Sequence, residues 1–196
     1  MKLSADKKFE SVPSVKNWEL QGKTLIFDLD GTMANTEPYH WRAHRKVFAE
    51  YGVELTNDDI EKYIGYNDMQ IYTIAGEDYG IDFDVKQCSE DKVREFLRIN
   101  KDIVIPMYEE IKEAILASND NYIITSQKRE IVDMLLKRWG INDKFKKIVS
   151  LYDTNDSKIE TFYKLDIPKE SAVWFEDSFH TVMEIIGEGI TCVQVL

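Results

Sequence analysis

Cysteine is scarce in this chain: Cys88 and Cys192 are the only two, far apart in the sequence. Neither belongs to a closely spaced pair that could grip zinc, and two remote thiols make no disulfide framework, so both read as packing residues. Long hydrophobic runs are missing too. A membrane-crossing helix needs roughly 18 or more apolar residues in a row, and the N-terminus also lacks the apolar centre of a signal peptide. The expectation is a cytoplasmic protein without a membrane partner. Positive charge is in short supply, because 25 Lys and Arg stand against 36 Asp and Glu, a formal net charge of -11. A nucleic-acid partner would need a contiguous basic face, which this balance argues against. A small anionic ligand needs only local positive charge, so that class stays open. Neither an internal repeat nor a low-complexity tract is present.

What remains is 196 residues, 43% of them hydrophobic, enough for one good core and a small second unit. A monomer is expected. Residues 1–22 are polar and lysine-rich with scattered Val12, Val15, Trp18 and Leu20, and read as an N-terminal arm whose apolar groups dock on the body. Then Thr24-Leu25-Ile26-Phe27-Asp28 forms a short apolar run ending in a carboxylate, as a buried parallel strand does. Four similar runs follow: Asn121 to Thr125, Lys147 to Leu151, Ala172 to Glu176 and Thr191 to Val195. The segment from Lys128 to Trp139 carries Ile131, Leu135 and Leu136 at helical spacing, with Gly140 where a helix C-terminus favours glycine. Alternation of strand and helix predicts an α/β fold with a parallel sheet covered on both faces. Residues 34–105 show no strand series and read as helices over Glu37 to Tyr51, Asn57 to Ile64, Asp68 to Tyr79 and Ser89 to Asn100, hence as a helical insertion.

The sharpest feature is Asp28-Leu29-Asp30-Gly31-Thr32 at the carboxyl end of the first strand, where an open parallel sheet places its ligands. Residues two apart on extended chain point to one side, so both carboxylates can face one pocket and divide the labour of attack and proton transfer. Gly31 lets the chain turn away. This segment resembles the first motif of the haloacid dehalogenase-like superfamily, an apolar strand running into Asp-x-Asp-Gly-Thr, and the resemblance covers about residues 23–196. It implies a three-layer Rossmann-like core made of residues 23–33 and 106–196, with residues 34–105 as an all-helical cap.

The superfamily's other motifs follow in order at strand ends. Thr125, in Tyr122-Ile123-Ile124-Thr125-Ser126-Gln127-Lys128, matches the hydroxyl residue of the second motif. Its hydroxyl and the Ser126 amide suit a phosphoryl oxygen, and Leu29, Lys128 and His40 join Ser126 as candidates for substrate binding. A lone threonine there would more often be a helix cap. Lys158, in Asp156-Ser157-Lys158-Ile159-Glu160, matches the lysine of the third motif, which neutralises charge on the nucleophile and the transferring group; the proline-containing continuation usual in the family is missing, and Lys164 and Lys169 are the fallback residues. The acidic pair of the fourth motif is met in Trp174-Phe175-Glu176-Asp177-Ser178. The family pattern implies Mg2+ held by Asp177, the Asp28 carboxylate and the Asp30 main-chain carbonyl, with Glu176 behind them, and implies that the first and fourth strands lie side by side.

The resemblance thus implies a magnesium-dependent phosphatase acting on a small phosphorylated metabolite through an aspartyl-phosphate on Asp28, with Asp30 as acid and base. The alternatives are a sugar-phosphate mutase similar to β-phosphoglucomutase and a catalytically inactive binding protein of the same superfamily. The mutase branch has a similar helix around Glu37 to Ala43, with a proton-relay histidine where His40 stands. It also needs a cap cation, and this chain has Gly65-Tyr66-Asn67-Asp68 there, an acid in place of the arginine. His44 reads as a surface group of the cap helix and His180 as a helix-start residue. Tyr39, Trp41, Tyr63, Tyr66 and Tyr72 read as packing of a small core.

Overall fold

Four consecutive residues of the first strand, β1 (Thr24–Phe27), are buried, and Leu25, Ile26 and Phe27 have no exposure at all. A strand whose alternate side chains are equally dry is covered on both faces, and β1 is also the middle strand of its sheet. The structure, a computed structural model, describes residues 20–152, 154 and 156–195, so most of the N-terminal arm, with Val12, Val15 and Trp18, lies outside the described residues. Leu20, where the described chain starts, is buried.

The chain divides into two compact units, one made of the residues up to Asn35 and from Ile105 onward, the other of Thr36–Val104. In the first unit the helices α5 (Glu109–Ala117), α6 (Arg129–Trp139), α7 (Lys158–Lys164) and α8 (Phe179–Gly187) alternate with β2 (Asn121–Thr125), β3 (Phe145–Ser150), β4 (Ala172–Glu176) and β5 (Thr191–Gln194). All strand pairs are parallel, in the order β3-β2-β1-β4-β5, so the fold is the expected α/β, Rossmann-like sheet. The first and fourth strands are neighbours, in register from Thr24 with Ala172 to Phe27 with Phe175. The order reverses at β1, and such a switch point leaves a crevice at the carboxyl ends of the strands. On one face Ile26, Ile124 and Trp174 pack with Phe162 of α7 and Ile185 of α8, and Cys192 lies against this cluster as a packing residue.

Two expectations need correction in this unit. The third strand begins at Phe145, two residues earlier than the apolar run, because Phe145 pairs with Asn121 and stands edge-on to Phe27 at 6.3 Å between ring centres. It is also an edge strand, with Lys146 and Lys147 exposed, whereas its apolar content suggested burial. At α6 the glycine reading holds: Gly140 follows the helix in the left-handed region with φ 68°.

The second unit holds α1 (Glu37–Glu50), α2 (Asn57–Tyr63), α3 (Asp68–Tyr79) and α4 (Val85–Ile99), and no strand among its described residues. The side chains of Thr56 and Asn67 cap α2 and α3 in reciprocal capping boxes with Asp59 and Gln70. α4 starts four residues before the expected Ser89, since the Asp84 side chain accepts the Gln87 amide at 3.0 Å and Cys88 is buried in the unit's core. Trp41, Tyr63 and Tyr72 pack in that core, as expected of them, but Tyr66 is exposed. His44 is not a surface group: it is buried, with Nε2 3.3 Å from Asp68 and Nδ1 3.1 Å from the Tyr72 hydroxyl. Asp68 also pairs with buried Lys92 at 2.9 Å. No helix among the described residues is long and apolar enough to cross a membrane.

Candidate active site

β1 stops at Phe27, and the Asp28 amide donates to the Phe175 carbonyl at 3.0 Å, tying the strand end to β4. This one bond sets Asp28 beside the Glu176-Asp177 pair that ends β4. Carboxylate oxygens of Asp28, Glu176 and Asp177 lie within 4.8 Å of one another. The chain then reverses: the Met33 amide donates to the Leu29 carbonyl at 2.8 Å, and the Gly31 amide to the Ala34 carbonyl at 2.9 Å. Gly31 has φ 77°, and a Cβ there would meet Asp177 Oδ2 at 2.0 Å. Glycine is therefore required twice over, for its backbone and for the space it leaves to a carboxylate. Thr32, fully buried, donates its hydroxyl to Asp177 Oδ1 at 3.2 Å.

Lys158 enters from the first turn of α7, fixed there by the capping box of Ser157 and Glu160. A cation at a helix N-terminus opposes the helix dipole, so its placement needs compensating acids. They are present: Lys158 Nζ lies 2.6 Å from Glu176 Oε2 and 3.1 Å from Asp28 Oδ1. Burial alone would lower the lysine's pKa, but Asp28 and Glu176 outweigh it and hold the ammonium above its ordinary value. Lys164 and Lys169 are no rivals, because both sit at the surface, paired with Asp156 and with Glu188.

Negative charge exceeds positive here. The Asp177 carboxyl is pushed up to about 6, first by burial and then by the charge of Asp28. The same two causes raise Glu176 above the usual carboxylate range, against the pull of Lys158. Asp28 Oδ1, though in ion-pair range of Lys158, has no aligned hydrogen-bond partner among the described residues. Among the described residues, three clustered carboxylates, one with an oxygen left without a hydrogen bond, and the one ammonium paired with them suit a hard divalent cation such as Mg2+. Asp28 and Asp177 would hold it, while Glu176 is already engaged by Lys158 and by the Ser178 amide at 3.2 Å.

The second motif folds at the same edge of the sheet. Thr125 ends β2, almost wholly buried, and its hydroxyl oxygen accepts the Gln127 amide at 3.2 Å, so it caps a turn and not α6, whose cap residue is Lys128. Its O–H is available to donate elsewhere. Ser126 is exposed, and Lys128 lays its ammonium over the Tyr152 ring, 4.3 Å from the centre. Leu29 is fully buried, so only its main chain can reach a ligand. His40 belongs to the second unit, buried and stacked on Phe96 at 4.4 Å. His180 is exposed in the first turn of α8, as its position suggested.

Sequence reading missed Gln127, whose side-chain amide donates to Asp30 Oδ2 at 2.7 Å. It also gave Thr32 no role, although the residue stands inside the first motif.

A buried carboxylate, a lysine and an acidic pair thus stand together at the switch point of a Rossmann-like parallel sheet, where open α/β folds place their ligands. The chain belongs to the haloacid dehalogenase-like hydrolases, whose family model matches residues 25–195. It is 25% identical over 181 residues to the fructose-1-phosphate phosphatase YqaB of Escherichia coli strain K12, covering 87% of this chain and 95% of that one. The fold is shared with CbbY of Rhodobacter sphaeroides, solved with xylulose-(1,5)bisphosphate, at a TM-score of 0.75 and 19% identity over 87% of this chain and 84% of the other. It is shared as well with the magnesium-bound HAD-hydrolase YfnB of Bacillus subtilis, at a TM-score of 0.68 and 18% identity over 87% and 86% of the two chains.

Proposed function

We propose that this chain is a magnesium-dependent phosphatase that hydrolyses a small phosphorylated metabolite through an aspartyl-phosphate on Asp28. The observation that carries the reading is the setting of Asp28: a buried carboxylate at a strand end, 3.1 Å from a lysine ammonium and grouped with Asp177. Asp28 attacks phosphorus in line, and the bond to the leaving oxygen breaks as the Asp28–phosphorus bond forms. Asp30 gives its proton to that oxygen, then takes one from the water that cleaves the aspartyl-phosphate. Lys158 and the Thr125 hydroxyl offset charge on the equatorial phosphoryl oxygens, the term on which phosphoryl transfer chiefly depends. Asp28 and Asp177 would hold Mg2+, which would supply further positive charge against the same oxygens. The helical unit Thr36–Val104 acts as the cap that selects the leaving group. The relative acting on fructose 1-phosphate supports a sugar phosphate or similar small ester as substrate.

Two features favour water over a second sugar as acceptor. Asp68 stands where the mutase branch has its cation, and it is spent inside the cap on Lys92 and His44. An inactive binding protein is disfavoured by the retention of Asp28, Asp30, Lys158 and Asp177 together.

The test uses p-nitrophenyl phosphate, whose phenol needs little protonation on leaving. Asp28→Asn should abolish turnover. Asp30→Asn should release a burst of phenol and then stall, with phosphate trapped as a mass increase on the peptide containing Asp28. Full activity in Asp28→Asn, or phosphate trapped elsewhere, refutes the assignment.

A further inference from the structure

We propose that Gln127 is the positioning residue for Asp30, an inference that rests on the reading of Asp30 as acid and base. Asp30 sits on the turn after β1, half-buried, and its short side chain has two torsions to settle. Proton transfer in line with a departing oxygen requires one orientation of that carboxylate, within hydrogen-bond reach of the oxygen. A turn alone does not choose it. Gln127 does, because its side chain is itself fixed at every polar atom.

Four bonds among the described residues take part in this frame. Gln127 Nε2 donates to Asp30 Oδ2 at 2.7 Å, and Gln127 Oε1 accepts the Lys128 amide at 2.8 Å. The Gln127 amide donates to Thr125 Oγ1 at 3.2 Å, while its carbonyl accepts the Ser150 hydroxyl at 2.6 Å. The assignment of the side-chain amide follows from chemistry: the Lys128 N–H can only donate, so the atom facing it is oxygen, and nitrogen faces Asp30. The residue is buried. Its backbone is held between the ends of β2 and β3, so the donor is anchored to the sheet. The bond spans 97 residues of sequence and joins the second motif to the first. The residue that carries the acid and base is thereby registered against Thr125, which faces the same phosphoryl group in the proposed mechanism.

The experiment replaces Gln127 with Met, of similar length and without a donor, and with Glu, which can still accept the Lys128 amide but offers no donor to Asp30 while ionised. Each variant is followed by rapid mixing with p-nitrophenyl phosphate and in steady state with an alkyl phosphate. The first step with the aryl ester should stay within about threefold of wild type, since it needs no acid. Breakdown of the aspartyl-phosphate and turnover of the alkyl ester should fall on the order of tenfold or more, a part of what general acid–base catalysis contributes. In the Asp30→Asn background the same substitutions should change neither step, because the group they act through is gone. Equal loss in both steps, a further loss in the Asp30→Asn background, or wild-type rates throughout would overturn the inference and leave the phosphatase reading intact. Wild-type turnover of the alkyl ester by Asp30→Asn itself would instead remove the reading on which the inference rests. Two variants of different polarity guard against a folding defect in either one.

Discussion

Replacing Gly31 with Ala should damage the site through Asp177 more than through the backbone. At φ 77° an alanine is strained, at a cost of about 1 to 2 kcal/mol for an L-residue in the left-handed region. The larger effect is steric. The new Cβ would stand 2.0 Å from Asp177 Oδ2, whereas real Cβ contacts below 3.0 Å are essentially never seen. Asp177 must therefore retreat by about 1 Å, and its hydroxyl donor Thr32 sits in the same turn and cannot follow without breaking it. A misplacement of about 1 Å at a reacting centre costs on the order of a hundredfold in rate. The expected outcome is a fold that melts only a few degrees lower, with a weakened affinity for magnesium by calorimetry and kcat reduced on the order of a hundredfold with p-nitrophenyl phosphate. Thermal melting by circular dichroism separates the two effects. Wild-type magnesium affinity and rate in Gly31→Ala would show that Asp177 does not hold the ion.

Removal of magnesium by excess chelator, or Asp177→Ala, should collapse phosphatase turnover, measured by phosphate release; activity persisting in chelator refutes the metal assignment. Lys158→Ala should lower kcat on the order of a hundredfold or more, by analogy with loss of a preorganised oxyanion donor, and a near-wild-type rate would mean that another cation does this work. His44, held down to about 4 chiefly by burial, should make stability depend on pH. Between about pH 6.5 and 4 the unfolded chain binds a proton that folded His44 refuses, so stability is full above this window and falls as pH drops through it, by about 3 kcal/mol at most. The urea midpoint should follow that slope, and His44→Gln should flatten it.

The sequence made the chemistry legible wherever the residue type itself is rare in its setting. Two acids with a glycine at the end of an apolar run, or an acidic pair after another, carry a signal because buried strands seldom end so. Lys158 could be read only from motif order, since a lysine beside an acid-rich loop looks like surface. What stayed hidden depends on partners distant in sequence. Gln127 has no charge or periodicity to mark it, and its role exists only because β2 lies beside β1. His44 was misread for the same reason: on a helix with several polar residues it looks solvated, and the Asp68 and Lys92 that accept it into the core sit on two other helices. The edge position of β3 was equally beyond composition, because burial of a strand is a property of the sheet and not of the strand.

The Asp68 cluster also bears on the proposed preference for water over a sugar as acceptor. A mutase has to retain a doubly phosphorylated intermediate while it turns over, and a cation in the cap gives that second phosphate a place to bind. The helical unit here does contain a cation close to the corresponding turn, Lys92, but it is only 3% exposed and its charge is met by Asp68 at 2.9 Å. The carboxylate is held ionised well below its usual range, burial notwithstanding, by that lysine and by the hydrogen bond to His44. Pulling Lys92 out to meet a phosphate would strand Asp68 in the core, a cost of about 3 to 5 kcal/mol for breaking a buried pair. That cost exceeds what a single exposed lysine gains from an anion in water. The cluster therefore serves as a strut between α1, α3 and α4, which agrees with water as the acceptor in the proposed mechanism.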